Sequence, residues 1–147
     1  MSYLTQKTIK SEISFKGIAL HSGHDVRIVI KPAEPNSGIV FKRVDLKTNN
    51  LVYPNFMNVT NTSLNTTVEN EFGTKVSTIE HLMGALFGLG IDNALIEINN
   101  EEVPILDGSA KLFIEKIISA GIEKSNQPIK IIKINNEITY SEGERFI

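Results

Sequence analysis

Ser77-Thr78-Ile79-Glu80-His81-Leu82-Met83-Gly84-Ala85-Leu86-Phe87-Gly88-Leu89-Gly90 is the stretch on which the fold turns. Ser77-Thr78-Ile79-Glu80 has the form of a capping box, with Ser77 as N-cap and Glu80 three residues on. Ile79, Leu82, Met83, Leu86 and Phe87 then recur at helical spacing, and Gly90 supplies a C-terminal stop. The opposite side carries His81, Gly84, Ala85 and Gly88. Three of those four are small where a solvent-facing helix carries Lys and Glu, so a second element is expected to approach closely and the helix to be packed on both faces.

Strands are expected upstream. Val26, Ile28 and Ile30 alternate with Arg27, Val29 and Lys31 until Pro32, the period of a strand with one buried face. A Pro35-Asn36-Ser37-Gly38 turn leads into Ile39-Val40-Phe41, and 8–15 and 51–53 are further candidates. The Asn/Thr-rich segment 58–67 reads as loop with some strand. Downstream, 93–98 reads as a short buried strand, Glu101-Glu102 as a turn, and 109–120 as a second helix with Ala110, Phe113, Ile114 and Ile117 inward and Gly121 at its end. Ser125-Asn126-Gln127-Pro128 reads as a polar linker, followed by a fresh strand pair at 129–134 and 137–140. The expected class is α+β: two helices on one face of a mostly antiparallel or mixed sheet. Residues 1–127 are read as one domain and 128–147 as the opening strands of a second, truncated one.

Bulk properties agree. The 147 residues are 41% hydrophobic and 22% charged, the balance of a globular protein with its own core. A formal charge of −2 and a pI near 5.9 give no basic field for nucleic acid, which weighs against a small nucleic-acid-binding module. The absence of cysteine excludes disulfides, thiolate zinc sites and thiol nucleophiles. No apolar run has the length of a signal peptide or a membrane span, so a cytoplasmic location is expected.

Chemistry concentrates on few residues. The histidines are His21, His24 and His81. A three-histidine metal site is conceivable, but histidines spaced by three in a Ser-Gly turn are common, and His24 reads as a solvated turn residue. His21 stays open between a structural hydrogen-bonding role and a site role. For Glu80 the alternatives are the helix cap and a general base beside a metal-activated water. For His81 they are a packed polar residue and a metal ligand, whose neutral form a helix N-terminus favours. The pattern is not His-Glu-x-x-His, because Ala85 stands four residues after His81, and one ligand does not hold a catalytic zinc.

Five blocks carry a resemblance in order and spacing: Gly17-Ile18-Ala19-Leu20-His21-Ser22-Gly23; Gly38-Ile39-Val40-Phe41-Lys42-Arg43-Val44-Asp45; Val76-Ser77-Thr78-Ile79-Glu80-His81-Leu82; Gly88-Leu89-Gly90-Ile91-Asp92-Asn93; and Val103-Pro104-Ile105-Leu106-Asp107-Gly108-Ser109-Ala110. Together they resemble the UDP-3-O-acyl-N-acetylglucosamine deacetylases of lipid A synthesis in Gram-negative bacteria, over nearly the whole chain. The resemblance implies hydrolysis of the acetamide of UDP-3-O-(3-hydroxyacyl)-N-acetylglucosamine, with zinc held by two histidines and an aspartate. It implies Glu80 as general base and His81 as one of three zinc ligands. The other two ligands would come from a His-Lys-x-x-Asp motif in a second domain, which does not occur in this sequence. It also implies two similar domains with their helices stacked between two sheets.

Leu64-Asn65-Thr66 matches a segment that lines the family's active site, where many members carry cysteine in place of Asn65; any metal inhibition through that thiol is lost here. Leu64, Asn65, His21 and Asp107 are therefore candidate substrate-binding residues, Asp107 having a helix-capping role as its alternative. Two expectations about activity follow. Either the chain is part of a metal hydrolase that another domain completes, and is inactive alone, or it is a non-catalytic remnant or split-enzyme half that acts by binding a partner polypeptide.

Overall fold

The computed structural model describes residues 4–147. In chain order the elements are β1 (Thr5–Ile9), β2 (Ile13–Ile18), β3 (Asp25–Pro32), β4 (Ile39–Arg43), β5 (Leu51–Val52), a 3-10 turn (Phe56–Asn58), β6 (Val59–Asn61), β7 (Thr67–Glu69), β8 (Lys75–Val76), α1 (Glu80–Leu89), β9 (Ala94–Ile98), α2 (Lys111–Ala120), β10 (Ile122–Pro128), β11 (Ser141–Glu142) and β12 (Arg145–Phe146). The fold is α+β, with two helices among the described residues and a mixed main sheet.

The alternation read at 25–32 becomes the second strand of a five-stranded sheet ordered β2-β3-β9-β4-β5. Only the β4–β9 pair is parallel; the others are antiparallel. The registers place Phe15 against Ile28 and Ile28 against Ile98, and set Ile30, Ile96, Phe41 and Val52 in the next row. All of these are buried, as period-two side chains on one face must be when that face is covered. Phe113 of α2 closes over the sheet with its ring centroid 4.9 Å from that of Phe15, and Ile117, Leu82 and Leu86 join the same core. Arg43 is buried at the end of β4. Its guanidinium donates to both carboxylate oxygens of Asp45 and to the Lys75 carbonyl at 2.9 Å, which ties β8 to the sheet.

A small three-stranded sheet, β6-β7-β8, delivers the chain to α1. Beyond the helix, Gly90 adopts φ +67°; its amide donates to the Phe87 carbonyl and the Ile91 amide to that of Leu86, which is a Schellman ending with buried Ile91 behind it. Buried Gln6 then secures β1 to the main sheet, accepting from the Asn36 amide and the Asn93 side chain and donating to Asn36 and to the Pro128 carbonyl.

Several sequence expectations are corrected. The strand expected at 8–15 is two strands, β1 and β2, separated by a bend at 10–12. The linker expected at 125–128 lies within β10, paired antiparallel with β1, and the polar stretch is taken up as an irregularity where the register passes from Lys7–Lys124 to Thr5–Pro128. The strand pair expected at 129–134 and 137–140 does not form. No partner strand flanks it among the described residues, and Ile131, Ile132, Ile134 and Ile138 lie exposed before the short β11–β12 hairpin.

α1 also presents a different face. Ala85 is buried, whereas Phe87 is 88% exposed and joins Gly84 and Gly88 on the open side. Its apolar arc is narrower than the sequence spacing implies, because Leu82, Ala85 and Leu86 already fill the space over the sheet.

These placements give opposite expectations for two phenylalanines. Phe113→Ala should cost about 3–5 kcal/mol in a urea unfolding experiment, by leaving a cavity against Phe15. Phe87→Ala should change stability by no more than about 0.5 kcal/mol.

Candidate functional site

The capping box does not form. Ile79 occupies the N-cap position of α1 without a side-chain cap, and the Ser77 hydroxyl donates instead to the Glu101 carbonyl at 3.1 Å. Ser77 is already committed as an isolated parallel bridge to Glu102, donating to the Glu101 carbonyl and accepting from the Val103 amide. That bridge holds the backbone extended through Ser77, and the chain then turns sharply at Thr78, which has φ +55°. A β-branched residue in that region costs about 1–3 kcal/mol and persists only where its surroundings enforce it.

Glu80 therefore begins the helix with its carboxylate free of capping duty. Its Oε2 accepts from the Thr66 amide at 3.1 Å, while the Thr66 carbonyl receives the Ile79 amide at 3.5 Å. This two-way link fastens the 64–66 loop to the first turn of α1, so Leu64, Asn65, Glu80 and His81 belong to one locality. Leu64 stands almost fully exposed with φ +65°, and the side-chain Oδ1 of Asn65 accepts from the Thr67 hydroxyl at 2.9 Å. Glu80 and His81 are half-buried.

The backbone of His21 is tied through Glu102 to Thr78, two residues before Glu80. His21 sits in the loop between β2 and β3, where the His21 and Ser22 amides each donate at 2.9 Å to one oxygen of Glu102, and the Thr78 hydroxyl donates to Glu102 Oε1 at 3.0 Å. Glu102, read from the sequence as part of a turn with Glu101, is thus a buried carboxylate bridged to Ser77. Burial pushes its carboxyl up, but the His21 and Ser22 amides, the Ser22 side chain and the Thr78 hydroxyl together outweigh this and leave it below the ordinary glutamate value. The sequence contained a signal for this: Glu102 directly precedes the apolar run Val103-Pro104-Ile105, whose first two residues are buried with it.

Asp107 is not brought into the cluster by any hydrogen bond. It accepts from the Ser109 amide and hydroxyl, and Ser109 Oγ in turn accepts from the Lys111 amide. Asp107 therefore braces the turn before α2 one step removed from a direct cap. His24 is exposed, and among the described residues no three His, Cys, Asp or Glu side chains converge on a common metal position. The three-histidine alternative has no geometric support.

The arrangement supplies one carboxylate and one imidazole, side by side at the open start of a helix, flanked by two loops held in fixed conformations. It can take a proton from water and provide one nitrogen ligand, one corner of a catalytic metal site that takes about three protein ligands. Residues 6–147 match the family model for UDP-3-O-acyl N-acetylglycosamine deacetylase. A curated relative, the UDP-3-O-acyl-N-acetylglucosamine deacetylase of Teredinibacter turnerae, is 45% identical over 142 residues, covering 97% of this chain and 46% of the relative. The chain thus spans about half the length of that relative.

Glu102 sets an acid limit on the fold. Because its carboxyl is depressed in the folded state, its contribution to stability is present above the ordinary glutamate range and is lost as pH falls through the folded value. Urea midpoints measured at a series of pH values should be level near neutrality and fall below about pH 4. In Glu102→Gln the neutral-pH stability should drop by about 1–3 kcal/mol and the acid fall should be shallower.

Proposed function

The chain belongs to the UDP-3-O-acyl N-acetylglycosamine deacetylase family, and from that premise we propose that it contributes a general base and one zinc ligand to hydrolysis of the N-acetyl group of UDP-3-O-acyl-N-acetylglucosamine in lipid A biosynthesis. The observation that supports this most is the state of Glu80. A Ser-x-x-Glu pattern that would ordinarily spend its carboxylate on a helix end leaves it bonded to a single amide, beside His81 and at an open surface.

In this reading Glu80 accepts a proton from the attacking water, the acetamide carbon–nitrogen bond breaks, and acetate and a free amine leave. The Thr66 amide holds the Glu80 carboxylate in place while it does so, and His81 provides one ligand nitrogen. Zinc, when bound, supplies a water whose pKa is lowered towards neutrality. The other two ligands, and the group that protonates the amine, come from residues outside these 147, in a second domain that begins near residue 128. Leu64, Asn65 and His21 border the substrate; Asp107 acts on it only through the turn it braces.

The exposed stripe Gly84, Phe87 and Gly88 is the surface on which the second domain rests, since small residues permit close approach and a bare phenylalanine favours burial. No helix among the described residues is long and apolar enough to cross a membrane, and a cytoplasmic setting suits a UDP-sugar substrate.

The purified 147-residue chain is expected to bind zinc weakly by isothermal titration calorimetry and to release no acetate from the UDP-sugar. Adding a second-domain polypeptide that carries His-Lys-x-x-Asp should restore both. Turnover by the chain alone would overturn the shared-site reading. Tight binding of that polypeptide without zinc uptake or turnover would favour a non-catalytic binding role.

A further inference from the structure

Glu102 is the only buried carboxylate among the described residues, at 2% exposure, and no cation pairs with it among them. A buried charge without a counter-ion is costly unless hydrogen bonds satisfy its lone pairs. Here the His21 and Ser22 amides, with the Ser22 side chain beside them, do so from one part of the chain and the hydroxyl of Thr78 from another. Oε1 takes His21 and Thr78, and Oε2 takes Ser22, so the two oxygens grip successive amides of the turn and one also reaches the backbone that leads into α1.

Both partners are otherwise stiff. The 19–24 loop is closed by the Ala19 amide on the His24 carbonyl and the Gly23 amide on the Ala19 carbonyl, each at 3.0 Å. Thr78 is held at a positive φ two residues before Glu80. The Ile105 amide donates to the Ile18 carbonyl at 3.0 Å, fixing the segment that carries Glu102 to the end of β2. The His21 side chain itself is exposed. Its backbone is anchored while its imidazole is left free for a ligand, and the anchor ends at the residues that set the direction of Glu80 and His81.

We infer that Glu102 is a positioning residue that clamps the His21–Ser22 turn to the backbone before α1, so that His21 is presented as a fixed substrate contact beside Glu80 and His81. This rests on the deacetylase reading of Glu80 and His81. Glu102 touches no reacting atom. Exchanging it for Gln replaces one acceptor oxygen with an NH2 group facing an amide N–H, which should release one side of the turn while keeping the side chain's volume.

Two measurements test the inference. In 1H–15N NMR of the 147-residue chain, Glu102→Gln should move the His21 and Ser22 amide resonances upfield and lower their heteronuclear NOE, leaving the β3 and β9 amides in place. If that variant does not fold, Thr78→Gly, which removes the donor on the α1 side and suits the positive φ, should shift the His21 amide, which shares Oε1 with that hydroxyl. Unchanged resonances and NOE in the folded variant overturn the clamp.

In the deacetylation assay with the second-domain polypeptide, Glu102→Gln should raise KM about tenfold with kcat within about twofold, and should have no further effect on a His21→Ala background. Glu102→Gln with an unchanged KM overturns the positioning role alone. No turnover by the unsubstituted assembly overturns the deacetylase reading, and with it the substrate contact of His21, while the NMR result still decides whether the clamp exists.

Discussion

β9 is hydrogen-bonded along both edges, antiparallel to β3 and parallel to β4, and the rest of the structure depends on that double pairing. It joins the β2–β3 hairpin to the β4–β5 pair and makes one apolar surface of Phe15, Ile28, Ile98, Phe41 and Ile96 from strands far apart in sequence. Parallel pairing with β4 requires a long crossover, and that crossover contains the small sheet, the 64–66 loop and α1. Leu64, Asn65, Glu80 and His81 lie within this connection, and His21 comes from the β2–β3 loop outside it.

The same constraint accounts for the unusual start of α1. Ser77 is drawn into a bridge with Glu102, and the chain must turn through a positive φ at Thr78 before a helix begins. Strain there is offset by the Thr78 hydroxyl on Glu102 and by the burial of Ile79, Leu82, Ala85 and Leu86 over the sheet. What remains on the open side is a carboxylate, an imidazole, two glycines and an exposed phenylalanine. The first two have chemistry to offer, and the last three form a surface suited to another polypeptide.

Period and punctuation made much of this legible. The alternation ending at Pro32, the turn at 35–38, the helical spacing after Ile79 and the glycines at 90 and 121 all mark real elements, because each is a local preference that tertiary packing does not oppose. The proposal for Glu80 and His81 as a pair rests on the family's ordered blocks, since each residue read alone leaves a structural role open. Hidden were features decided at a distance. The Ser77 capping pattern lost to a bridge with a segment some 24 residues on, Phe87 lost its place in the core to Ala85, and Glu102 gained burial from two loops that no window around it contains. The linker expected at 125–128 became part of a strand paired with β1, more than a hundred residues earlier.

The central claim is that Glu80 serves chemistry and not the helix end. The measurement that tests it most directly is hydrolysis rate and urea stability determined together for Glu80→Gln in the assembly completed by the second-domain polypeptide. The account predicts retained zinc, a rate lowered by about 10²–10⁴-fold, and little change in stability. A rate close to that of the unsubstituted protein, with stability reduced by the ~1 kcal/mol of a lost cap, would contradict it.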